Sequence, residues 1–81
     1  MPYIDKKRRD ELSHPMPTPT SAGELNYLIC KLSMQYLDTT SKNYQSYNEV
    51  IGVLECTKQE LYRRLVAPYE DKKITENGDV F

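Results

Sequence analysis

Apolar residues recur at helical spacing in two long runs of this chain. In the first, Leu25, Leu28, Ile29, Leu32, Tyr36 and Leu37 stand at i, i+3, i+4 and i+7 intervals, which makes one apolar face over about four turns. Ser21 and Glu24 are spaced as a capping box, in which hydroxyl and carboxylate satisfy orphan amides reciprocally. Asp38-Thr39-Thr40-Ser41 is a run of turn and cap residues. The pattern predicts a helix over 21–38.

In the second run Tyr44, Tyr47, Ile51, Leu54, Lys58, Leu61 and Leu65 alternate by three and four, a heptad seam holding one lysine. Val50, Val53, Tyr62 and Val66 widen it, so the helix is expected to meet more than one neighbour. A start between Ser41 and Ser46, with a capping box from Ser46 and Glu49, and a stop at Pro68 predict a helix over 43–67. Gly52 costs about 1 kcal/mol in a helix interior, and another backbone passing close by is the expected reason for it.

The ends are less regular. "DKKRRDEL" at 5–12 predicts a short helix capped by Asp5, with burial offered only by Ile4 and Leu12. Prolines 15, 17 and 19 make 13–20 a linker. In the tail at 70–81, Asn77-Gly78 lies between Ile74 and Val80-Phe81, a hairpin signal. The fold expected is all-α: a helical hairpin of two main helices, with a short N-terminal helix and a small C-terminal β-hairpin or extended tail, in one small domain over 1–81.

Composition adds the expectation of self-association. The chain has 81 residues, seven of them Tyr, with one Phe and no Trp. So short a chain buries little core, and tyrosine suits half-buried surfaces where the ring is covered and the hydroxyl finds a partner. A homo-oligomer is therefore expected.

A net charge of −1 gives no general pull toward nucleic acid, and no DNA partner is expected. The basic run Lys6-Lys7-Arg8-Arg9 is bracketed by Asp5, Asp10 and Glu11 and reads as a solvated helix face. No apolar run approaches the ~20 residues that cross a bilayer, and the start is too charged for a signal peptide, so a cytoplasmic protein with no membrane partner is expected. Cys30 and Cys56 lack a CxxC spacing and read as reduced, packed thiols.

Enzyme chemistries find few residues. A metal-dependent nucleotide pyrophosphohydrolase needs clustered carboxylates on facing helices. The candidates Glu24, Glu49, Glu55 and Glu60 do not share a face by spacing, so this reading is the second alternative. One His and two separated Cys exclude a zinc site, and Gly23, Gly52 and Gly78 form no phosphate loop. No catalytic residue, metal or cofactor is assigned.

A small anionic ligand fits the residues better. Lys58, Arg63 and Arg64 gather near the end of the second helix, and arginine forks match phosphate oxygens. Tyr62 and Tyr69 offer stacking faces, while Asn48 and Glu55, on one helical line with Tyr62, could read base edges. The competing reading is structural: Glu55 and Lys58 neutralise each other at a helix crossing, and a polar seam residue sets register.

The segments "MPYI", "GELNY", "NEVIGVLEC", "LYRRLVAPYEDKKI" and "ENGDV" together resemble an uncharacterised family, a domain of unknown function found in short prokaryotic and phage proteins. Phe81 stands where that family is expected to end in Tyr. The resemblance implies no established activity, but its phage setting points by analogy to small helical oligomers that sequester cyclic nucleotide immune messengers. On that reading Lys58, Arg63 and Arg64 hold phosphates of a cyclic di- or trinucleotide, and Tyr62 or Tyr69 stacks a base. The alternative is a structural module that docks a partner protein through the same seam.

Overall fold

The structure is a computed structural model and describes residues 4–81. Tyr3 and the first residues of the MPYI segment lie outside the described residues. Helices account for all the regular structure among the described residues: α1 (Lys6–Ser13), α2 (Ala22–Asp38), α3 (Tyr44–Leu61), a π-helical turn (Tyr62–Val66) and α4 (Ala67–Asn77). They fall into two units, Met1–Lys42 and Asn43–Phe81. The expected pair of main helices is thus divided, α2 in the first unit and α3 in the second.

In the first unit, each helix is fixed at its start by a side chain. Asp5 Oδ1 accepts from the Arg8 N–H at 2.9 Å, capping α1 as expected. Ser21 Oγ accepts from the Glu24 N–H at 3.1 Å and opens α2. Only half of the expected box forms. The Glu24 carboxylate reaches past Ser21 to Thr20, accepting from its N–H and its hydroxyl, both at 3.0 Å. That bond fastens the linker to the helix. Pro17, Thr18 and Pro19 lie along the first two turns of α2 and leave Pro19 and Leu28 half-buried.

The second unit begins one turn earlier than Ser46 and Glu49 imply. Asn43 is the N-cap and Ser46 the N3 residue of a complete capping box: Asn43 Oδ1 accepts from the Ser46 N–H, and Ser46 Oγ accepts from the Asn43 N–H, each at 3.0 Å. Ser46 is buried beneath that turn at 4% exposure.

The larger departure lies at Pro68, which does not end the helix. Proline lacks the N–H that an α-turn requires, and its ring collides with the carbonyl four residues back. The backbone widens by one residue instead, and the Ala67 N–H donates to the Tyr62 carbonyl, an i to i−5 bond. Pro68 then occupies the first turn of α4, where no N–H is needed. The helical path runs on from Tyr44 to Asn77.

The expected C-terminal β-hairpin is absent: residues 67–77 are helical, and no strand occurs among the described residues. Asn77-Gly78 serves as a helix stop. Gly78 has φ 86° and its N–H donates to the Ile74 carbonyl at 2.8 Å, the glycine C-cap arrangement. Gly52 has open space around it, with nothing within 4 Å of a Cβ built there, so among the described residues no backbone outside its own helix passes close.

Neither unit has an apolar core among its described residues. Among the described residues no apolar side chain is buried, although both main helices carry the apolar faces that the sequence predicts. Cys30 and Cys56, expected to be packed, are exposed free thiols.

Candidate functional site

All seven residues proposed to bind a ligand lie in the second unit, on α3, the π turn and α4. At about 100° per residue, Tyr44, Tyr47, Ile51, Leu54, Lys58 and Leu61 form one face of α3. Asn48, Glu55 and Tyr62, each seven residues apart, follow the edge of that face. These three therefore share one line of the helix.

Glu55, Lys58 and Tyr62 are engaged along the same helical path. The Glu55 carboxylate accepts from Lys58 Nζ at 3.1 Å and Gln59 Nε2 at 3.2 Å. The Lys58 hydrogen bond, then that of Gln59, holds the Glu55 carboxyl below the usual carboxylate range. The Tyr62 hydroxyl donates to Glu70 at 2.5 Å, and this bond, followed by the negative charge of Glu70, raises the phenol above its ordinary value.

That contact depends on the π turn. In an uninterrupted α-helix, residues eight apart sit about 80° around the axis from each other, whereas residues seven apart nearly align. One inserted residue makes Glu70 the effective seventh neighbour of Tyr62. It likewise turns Leu65 off the apolar face and brings Val66 and Tyr69 onto the line of Leu61, in keeping with 64% exposure at Leu65 against 39% at Val66.

The arginines do not join this group. Helix geometry places Arg63 and Arg64 away from the apolar face, beside Glu60. Arg63 donates to both Glu60 oxygens, at 3.1 and 3.0 Å, and Arg64 Nε to one of them at 2.5 Å. Tyr69 lies under the Lys73 ammonium, 5.5 Å from the ring centre, and Lys73 also pairs with Glu76 at 3.3 Å. The second unit holds five basic and seven acidic side chains, so its charge does not favour an anion. No three His, Cys, Asp or Glu side chains cluster as a metal ion requires, among the described residues.

Sequence reasoning missed Glu60 and Glu70 as partners, and it missed a groove in the first unit. Pro17, Pro19, Gly23, Tyr27 and Leu28 line an open space of about 310 Å³ between linker and helix. The signal for Glu60 was its i, i+3 and i, i+4 spacing to the arginines. Thr20, four residues before Glu24, was the corresponding sign for the groove.

Compared with known families, residues 1–80 match the profile of a domain of unknown function, DUF6899. The chain belongs to the DUF6899 family. No curated protein and no solved structure matches this DUF6899 chain. No helix among its described residues is long and apolar enough to cross a membrane.

Proposed function

We propose that this DUF6899 chain is a non-catalytic interaction protein that assembles through the apolar faces of its helices. The observation that carries the reading is the contrast between finished helix ends and uncovered helix sides. Asp5, Ser21, Asn43 and Gly78 satisfy the ends, while no apolar side chain is buried among the described residues. Helices of these lengths gain most of their stability from packing an apolar face, and exposed apolar surface of this extent marks a protein contact. Association with further copies of the chain supplies that packing.

Sequestration of a cyclic nucleotide takes second place. Its Tyr62, Glu55 and Asn48 share a helical line, but Arg63 and Arg64 are held by Glu60 on another side of the helix. An assembly could bring arginines of one copy to the tyrosines of the next, so both readings are tested together. In native mass spectrometry with cyclic di- and trinucleotides, the proposal expects a discrete oligomer whose mass is unchanged by nucleotide. Whole-number nucleotide additions would favour the sponge, and a monomer at all concentrations would overturn the assembly reading.

A further inference from the structure

We infer that α3 pairs antiparallel with α3 of a second copy, about a two-fold axis between Gly52 and Val53. The inference rests on the self-assembly reading and specifies its contact. Tyr44, Tyr47, Ile51, Leu54 and Leu61 are 86, 49, 64, 37 and 53% exposed. Together they offer on the order of 600 Å² per copy, near the roughly 800 Å² per partner of a standard interface.

Direction follows from Lys58. Parallel, in-register helices would stack Lys58 on its counterpart at the seam, like charge against like. In the antiparallel arrangement seam layers pair Ile51 with Leu54, Tyr47 with Lys58 and Tyr44 with Leu61 across the two copies. The Lys58 charge is already countered by Glu55 of its own helix at 3.1 Å, so its aliphatic stem lies along the opposing Tyr47 ring while its ammonium reaches the rim.

Register follows from the π turn. Sliding the pair one heptad toward the C-terminus would require Leu65 as a seam residue, and the π turn rotates it off the face. The same slide would set Glu55 against Glu55 of the other copy. Sliding the other way would leave Lys58 and Leu61 without seam partners. The chosen register uses every seam position of α3 and meets neither penalty. It leaves Gly52 on the outer side, consistent with the open space there.

Spin labels on the outer side of α3 read direction and register together. In a Cys30→Ser, Cys56→Ser background, Val53→Cys lies beside the axis, whereas Gln45→Cys lies about 22 Å along the axis from its counterpart at 1.5 Å per residue. Circular dichroism checks that each variant keeps its helices. The inference expects a pulsed dipolar distance about 10 Å longer at position 45 than at 53. Equal distances would show parallel pairing and overturn it. An oligomer by sedimentation with no coupling at either position would overturn the α3 contact and leave self-assembly standing; a monomer by sedimentation would overturn both.

Discussion

The two main helices are treated differently by their own chain. Along α2 the linker turns back, fastened by Thr20 to Glu24, so that Pro17 and Pro19 shade Leu28. Along α3 nothing in its unit lies across the apolar face, and even Leu54 remains 37% exposed. The second unit instead spends its polar groups along its own axis, in the Glu55–Lys58, Glu60–Arg63, Glu60–Arg64 and Lys73–Glu76 pairs. Exposed pairs of this kind contribute only a few tenths of a kcal/mol each. On the assembly proposal, this difference makes α3 the helix whose stability depends most on another chain.

The largest way to break this contrast is Leu54→Asp. A carboxylate in the centre of the uncovered face would weaken association by at least about 100-fold, since it forfeits leucine burial and buries a charge. Sedimentation equilibrium would show this, while Leu28→Asp would shift the association constant less. Equal effects at the two positions would remove the distinction between the helices.

Pro68→Ala comes next. With an N–H restored and the ring removed, the π turn should relax to α-helix, and Tyr62 should lose Glu70. Because its folded pKa is raised, Tyr62 contributes stability that is fully present below the unfolded value near 10 and is lost as pH rises through the folded value. Ultraviolet titration should show Tyr62 ionising earlier in both Pro68→Ala and Glu70→Gln than in the parent.

Gly52→Ala should stabilise α3 by about 1 kcal/mol, seen as a higher midpoint in thermal unfolding, because the added methyl meets open space. Weakened assembly in this variant would instead place a second chain's backbone against Gly52.

The smallest effect belongs to the linker. Hydrogen bonds from the Thr20 N–H and then its hydroxyl lower the Glu24 pKa, so their contribution is present above the unfolded value near 4.3 and fades as pH falls through the folded value. Thr20→Val should raise the Glu24 pKa toward the ordinary range by NMR titration, with little change in α3.

Much of this arrangement was legible in the residues. Periodicity located α2 and α3, and Asp5 and Ser21 marked true helix starts. The misread points each carry a signal with two meanings. Asn77-Gly78 serves hairpins and helix stops equally well, and the choice falls to the segment before it, whose residues continue a helix. Pro68 ends a helix only if the turn before it cannot widen. Ser46 suits N-cap or N3, and Asn43 decides between them. At the proposed site, the line through Asn48, Glu55 and Tyr62 followed from spacing. The departure of Arg63 and Arg64 did not, because it depends on their pairing with Glu60 and on the side of the helix they occupy. Nothing among the described residues buries the apolar faces, and the proposal assigns that role to another copy.

The most direct test of that dependence is thermal unfolding followed by circular dichroism at about 1 and about 100 μM protein, because association stabilises by mass action. The assembly account predicts a midpoint that rises with concentration, together with loss of helix on dilution. A cooperative transition at one unchanged midpoint across that range, from a particle of monomer mass, would contradict it.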